Sequence, residues 1–97
     1  MPLTVRWSKL ARQDLNDIED YIAQDNPRAS VDVVSRIMRQ VVEQLSTFPA
    51  SGRAGRISGT RELVFGTLPY IVVYRVYEQR VEVLSVVHTS RKWPEQF

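Results

Sequence analysis

The residues best suited to chemistry gather near the end of the chain, where His88-Thr89-Ser90-Arg91-Lys92-Trp93 follows a β-rich run. His88 is the only histidine. Beside Arg91 and Lys92 it would act as a general acid or base next to cations that hold a phosphate. The competing reading is a strand-terminal histidine bonded to backbone, which a lone His without a fixed partner favours. It cannot make a metal site alone, because the sequence has no cysteine and no second histidine to share the ion. Trp93 offers a ring that would stack on a base, fill a partner's groove or fold back onto the sheet edge.

A second cluster lies upstream. The stretch 49–61 holds Arg53, Arg56 and Arg61 and no acid. Arg61 and Glu62 begin one expected strand and Arg75 ends another. An arginine within a sheet must meet a carboxylate or carbonyls to offset its desolvation. Glu62, Glu78 and Glu82 are the nearest candidates in sequence, so an internal salt bridge ranks above direct function. Ser58, Thr60 and Ser85 stand in no nucleophile-elbow context, so triad chemistry is unsupported.

Composition narrows the class. A chain of 97 residues, 43% hydrophobic, supports one domain over residues 1–97 with its own core. The absence of cysteine excludes disulfides and thiolate catalysis. No apolar run approaches a membrane span, and Met-Pro-Leu-Thr-Val-Arg does not read as a signal peptide, so a cytoplasmic protein is expected. Net charge is +2, with the excess in residues 50–97, which carry seven basic and four acidic side chains. Such a half faces nucleic acid or an acidic protein, and the small excess favours the protein.

The elements that must position these residues follow from periodicity. Leu3–Trp7 alternates as a short strand. Ser8 caps a helix whose apolar stripe is Ala11, Leu15, Ile18 and Ile22, with Asp14, Asp17, Glu19 and Asp20 on a solvated face. Asn26-Pro27 restarts the chain as a second helix. Its stripe is Val31, Val34, Met38, Val41, Leu45 and Phe48, widened by Ile37 and Val42, and Pro49 stops it. A loop over 49–58 leads to three β-segments: Thr60–Phe65, Tyr70–Tyr77 and Val81–His88. Short links make these antiparallel.

The expected fold is α+β, in the order β-α-α-β-β-β, with an N-terminal helical hairpin packed on an antiparallel sheet. Alternation puts Tyr70, Val72, Tyr74 and Val76 on one side and Ile71, Val73, Arg75 and Tyr77 on the other. In the last strand it puts Val81, Val83, Ser85 and Val87 opposite Glu82, Leu84, Val86 and His88. Both faces are then substantially apolar. The helices cover one, and the other needs a second cover, such as a partner.

This order, with Gly59-Thr60-Arg61-Glu62-Leu63-Val64, Pro69-Tyr70-Ile71-Val72-Val73-Tyr74-Arg75-Val76 and His88-Thr89-Ser90-Arg91-Lys92-Trp93-Pro94, resembles the RelE/ParE toxins of type II toxin–antitoxin modules. Leu15-Asn16-Asp17-Ile18-Glu19-Asp20-Tyr21-Ile22 and Asn26-Pro27 agree, so the likeness covers nearly the whole chain. It implies a growth-arresting toxin, of the kind linked to plasmid stabilization. A cognate ParD- or RelB-like antitoxin would neutralise it, and DNA would be contacted only indirectly, through that antitoxin. No cofactor or metal is implied.

RelE-like members are ribosome-dependent mRNA endonucleases, and ParE-like members act on DNA gyrase. At the positions where the ribonucleases carry basic residues on central strands, this chain has Glu62, Val64 and Ile71. Their tyrosine position falls on or near Phe97, and only Arg91 matches. The likeness therefore implies the ParE branch, an inhibitor without an active site. Its partner-binding residues would be Arg61, Arg75, His88, Arg91, Lys92 and Trp93. The alternative, a ribosome-dependent ribonuclease, would use His88 and Arg91 with Arg53 or Arg56.

Overall fold

The helices start where their capping residues stand. Ser8 Oγ accepts from the Ala11 N–H at 3.0 Å and opens α1 (Lys9–Ala23). Asn26 Oδ1 accepts from the Ala29 N–H at 3.1 Å, and Pro27 takes the first position of α2 (Pro27–Thr47). The computed structural model describes residues 2–91 and Trp93. Its strands are β1 (Thr4–Trp7), β2 (Arg53–Ala54), β3 (Arg61–Val64), β4 (Tyr70–Val76) and β5 (Arg80–His88). A 3₁₀ turn at Pro49–Ser51 separates α2 from β2.

The sheet runs β1-β5-β4-β3-β2. The last three strands pair antiparallel, as their short links require. β1 lies parallel to β5, with Thr4 opposite Arg80 and Trp7 opposite Val83, so the sheet is mixed. The crossover from β1 to β5 carries both helices, which lets a parallel pair form. β2, inside the stretch expected to be loop, adds a two-residue edge by pairing Arg53 with Glu62 and Ala54 with Arg61.

The core lies between the hairpin and one sheet face. Ala11, Leu15 and Ile18 of α1 and Ile37, Val41 and Leu45 of α2 meet Leu63, Val72, Tyr74, Val81, Val83 and Val86. The expected α2 stripe was too wide. Val31, Met38, Val42 and Phe48 are exposed, because a single helix layer buries only the arc centred on Ile37 and Val41.

The larger departure is a β-bulge. Val73 pairs with Ser85 but Tyr74 pairs with Val83, so Leu84 is extra. Counting by twos therefore fails beyond Val83. Val86 joins the helix-facing core, and Val87 joins Ile71, Val73 and Leu84 on the outer face.

The bulge sits where β1 ends and leaves the flank of β5 unpaired. Ser8 donates its N–H to the Val83 carbonyl and its hydroxyl to the Leu84 carbonyl, both at 2.9 Å. Asp14 Oδ2 accepts from the Ser85 hydroxyl at 2.6 Å and from the Val86 N–H at 2.9 Å. Asp14 is thus no member of a solvated acidic face; it fastens α1 to β5. Asp14→Ala should cost about 1.5–3 kcal/mol, the range for hydrogen bonds to a charged group. Urea unfolding would reveal it as a lowered midpoint, whereas Asp20→Ala, on the exposed side, should leave the midpoint within error.

Candidate partner-binding surface

The sheet separates the predicted residues into two groups. Residues directly opposite each other on an antiparallel pair share a face. Glu62 stands opposite Val73, and Val64 opposite Ile71. Since Ile71 and Val73 cluster away from the helices with Leu84, Val87 and Trp93, Glu62 and Val64 also face outward. Arg61 stands opposite Tyr74, on the helix side.

Glu62 organises the outer face. Its side chain is 1% exposed, while those of Arg53 and Arg56 are 54% and 55% exposed. Arg53 donates Nε and Nη2 to Glu62 Oε1 at 3.0 and 2.9 Å. The Arg56 N–H donates to Oε2 at 2.9 Å, and the Arg56 guanidinium lies 3.8 Å from the same oxygen. A buried carboxylate thus meets two partly solvated guanidiniums and a backbone donor, which offsets its desolvation. The Arg56 guanidinium also lies 4.0 Å from the Trp93 ring centroid, over its face. Trp93 packs against the Ile71, Val73 and Val87 cluster, and its indole N–H is buried without a hydrogen-bond partner among the described residues. The outer face, expected to need a second cover, is therefore partly covered by the chain itself.

Arg61 points into structure. Its Nη1 donates to the Gly52 carbonyl at 2.9 Å and to the Ala50 carbonyl at 3.3 Å. Next to it Tyr74, fully buried, donates its hydroxyl to the Pro49 carbonyl at 2.7 Å and accepts from the Gly52 N–H at 2.9 Å. Burial raises the Tyr74 pKa, opposed by the Gly52 hydrogen bond and by the charge of Arg61. Arg75 reaches the loop at Gly59, where a Cβ would stand 2.7 Å from its guanidinium. Gly59 has φ +79°, a conformation that suits glycine. Arg61, expected to bind a partner, thus holds the 49–61 segment through its carbonyls, and Arg75, expected to do the same, lies beside Gly59 of that segment. For Arg61 the carbonyls, and not a glutamate, are the partners.

His88 lies on the opposite, helix-facing side. Its ring meets Tyr70 edge-on at 5.3 Å between centroids and 89° between planes. The Ser90 N–H donates to His88 Nδ1 at 3.1 Å, and Ser90 Oγ lies 2.8 Å from the same atom. A backbone N–H can only donate, so Nδ1 carries its lone pair and the neutral ring's proton sits on Nε2. This is the backbone-bonded, strand-terminal histidine of the simpler reading. With Asp14, Asp17, Tyr21, Tyr70 and Arg91 it lines a cleft of about 150 Å³ between α1 and the end of β5. Burial raises the Tyr70 pKa, with Arg91 opposing and Tyr21 reinforcing the rise.

His88 and Arg91 therefore come together, but Arg53 and Arg56 lie across the sheet from His88. The four residues of the ribonuclease alternative do not converge on one site. Lys92 and Phe97 lie outside the described residues. Sequence reasoning missed Asp14, Tyr70 and Tyr74. As an ion-pair partner it offered Glu62 to Arg61 or Arg75, when its partners are Arg53 and Arg56.

Comparison with known proteins agrees with this architecture. The chain is 45% identical over 91 residues to the protein Y4kP of Sinorhizobium fredii, covering 94% of this chain and 93% of that protein. It is 32% identical over 87 residues to the toxin RelE2 of Caulobacter vibrioides, covering 90% and 96%. Among solved structures it superposes on the chromosomal ParDE toxin–antitoxin system of P. aeruginosa with a TM-score of 0.82 at 24% identity, covering 91% of this chain and 97% of that one. It superposes on the RelBE2 toxin–antitoxin complex of Mycobacterium tuberculosis with a TM-score of 0.70 at 26% identity, covering 94% and 95%. The family of ParE toxins of parDE type II toxin–antitoxin systems matches residues 5–93. This chain, with its helical hairpin on a five-stranded mixed sheet, belongs to the ParE toxin family of the ParE/RelE superfamily.

Proposed function

We propose that this toxin arrests growth by binding DNA gyrase, with no active site of its own, and that a cognate ParD- or RelB-like antitoxin neutralises it. One observation carries the choice of branch. Where the resemblance puts the ribonucleases' basic residues, the outer face has Val64, Ile71 and a Glu62 already committed to Arg53. RNA cleavage through the 2′-hydroxyl needs a base, an acid and cations on the phosphate. Two aliphatic side chains and a neutralised carboxylate do not supply them.

The second reading, a ribosome-dependent mRNA endonuclease, draws on His88 and Arg91 sharing one cleft and on the similarity to RelE2. The antitoxin reading draws on the neighbours' being toxin–antitoxin systems. It also draws on apolar side chains left exposed on the hairpin, Leu10, Val31, Met38 and Val42, which an apolar segment that folds on binding would cover.

The deciding experiment uses the purified toxin on both targets. The expected result is loss of gyrase supercoiling, with no cuts in messenger RNA on translating ribosomes. Ribosome-dependent cleavage with gyrase untouched would reverse the assignment. In cells, His88→Ala should keep most of the toxicity, and Arg91→Glu together with Lys92→Glu should reduce it. An inert His88 variant would point to chemistry in the cleft.

A further inference from the structure

We infer that the cleft between α1 and the end of β5 binds a single nucleobase, guanine, between Asp17 and Arg91 and beside the Tyr70 hydroxyl. The site does not depend on which target the toxin has. It lies on the helix-facing side, across the sheet from Val64 and Ile71, where the resemblance puts the ribonucleases' basic residues.

Tyr70 is buried with nothing to bond. It is 6% exposed, yet its hydroxyl makes no hydrogen bond among the described residues. Tyr74, buried on the same side of the same strand, has its hydroxyl bonded twice. A polar group withdrawn from bulk water is ordinarily paired, so the Tyr70 hydroxyl is a vacant contact. The charges of Arg91 and Tyr21 both act on it, which places it toward these two cleft residues and not toward the core. Burial keeps it protonated at neutral pH, and so able to donate.

The two walls of the cleft carry opposite charge. Asp14 and Asp17 stand on α1 and Arg91 follows β5, and all three line the cleft. No ion pair joins them; the ion pairs among the described residues involve Glu62 and Glu82. Asp14 spends one oxygen on Ser85 and Val86, whereas Asp17 meets only the exposed Gln13 amide at 2.9 Å. An anion entering here would face two carboxylates, and a cation would face Arg91. A neutral ring with donors on one edge and acceptors on another suits both walls. Guanine is such a ring: N1–H and N2–H₂ offer a carboxylate adjacent donors, and O6 and N7 offer an arginine adjacent acceptors. Adenine sets the N1 acceptor beside its amino group, where a carboxylate is repelled. The size agrees. About 150 Å³ is well below the roughly 300–1,000 Å³ of clefts for drug-sized ligands, so a base enters while sugar and phosphate stay outside. Tyr21, 63% exposed, supplies a ring on which the base stacks.

The test titrates the isotopically labelled toxin with GMP, IMP, AMP and an arginine amide, following the amide resonances of Tyr21, Tyr70 and Ser90. GMP should move them saturably. IMP, which lacks the N2 amino group, and AMP should bind at least about tenfold more weakly, the discrimination of one bidentate pair. Asp17→Asn should remove the preference for GMP over IMP. Tyr70→Phe, which breaks no bond within the chain, should keep the urea midpoint and weaken GMP about fivefold. A short strand of uridines around one guanosine separates the two sources of the base. Tighter binding than GMP assigns it to single-stranded nucleic acid, and weaker binding assigns it to the free nucleotide. Unmoved resonances at millimolar GMP, equal binding of GMP and IMP, or tighter binding of the arginine amide each overturns the inference. The comparison of GMP with IMP uses the unmodified toxin, so it decides the matter even if a variant does not fold.

Discussion

Glu62→Ala should lower the stability of the domain by about 2–4 kcal/mol and release the 49–61 segment before the rest unfolds. The magnitude has two sources. Removing a buried carboxylate leaves the Arg56 N–H without its partner and forfeits the Arg53 hydrogen bonds, worth about 1.5–3 kcal/mol for charged pairs. Truncation also opens a cavity beside Val73, adding a packing term. Because small domains are stable by only about 5–15 kcal/mol, the loss is a large fraction of the whole. Glu62→Gln keeps the volume and one acceptor and should cost about half as much. Urea unfolding measures the totals. Amide hydrogen exchange locates them: Gly55, which donates to the Thr60 carbonyl at 2.8 Å, and Arg56 should lose protection while Ile37 and Val41 keep theirs. Unchanged protection at Gly55 and Arg56 would mean that Glu62 does not hold the loop.

That Glu62 offered itself as an ion-pair partner for Arg61 or Arg75, and pairs instead with Arg53 and Arg56, illustrates what a sequence discloses here and what it withholds. Ser8, Asn26, Pro27 and Pro49 act locally, through backbone groups a few residues away, so both helices were legible to within a residue or two. β1, β3, β4 and β5 were legible for the same reason, since alternation is a local pattern. The bulge was not. Leu84 is an ordinary strand residue, and no glycine marks the extra position, yet one inserted residue exchanges Val86 and Val87 between faces. The cause is tertiary: β1 ends at Trp7, and the freed flank of β5 is instead bonded by Ser8 and Asp14 from the next element.

The candidate site was divided by the same logic. His88 and Arg91 are near in sequence and come together, whereas Arg53 and Arg56 reach the outer face only because β2 pairs with β3. Nothing in a loop rich in glycine, serine and arginine announces a two-residue strand. The pairing is stabilised by Glu62 across it more than by the intrinsic preference of Arg53 and Ala54.

Tyr74→Phe should be the most informative single-atom change. The hydroxyl is buried with its donor and acceptor capacity both used, on the Pro49 carbonyl and the Gly52 N–H. Its loss leaves both backbone groups unpaired, at about 1–3 kcal/mol for a buried group, so a net cost of about 2 kcal/mol is expected. For a domain of this size that lowers Tm by about 10 °C. Gly52 cannot compensate by acquiring a side chain, since a Cβ there would meet the tyrosine hydroxyl and stand 2.8 Å from the Glu62 carbonyl oxygen.

The same hydroxyl makes stability depend on alkaline pH, and the sign is fixed. Burial, the largest influence, raises the Tyr74 pKa above the ordinary tyrosine value of about 10, and the Tyr70 pKa moves in the same direction. Above that value the unfolded chain loses the proton while the folded one keeps it. The unfolded state then binds fewer protons, so stability falls as pH rises. The contribution is complete below about pH 10 and is lost as pH climbs through the raised folded-state pKa. Tyr74→Phe should therefore be less stable than the parent at neutral pH and yet lose less of its stability between neutral pH and the alkaline range, with Tyr70 supplying the slope that remains. Parallel slopes for parent and variant in urea melts above about pH 10 would show that the Tyr74 hydroxyl does not govern the alkaline limb.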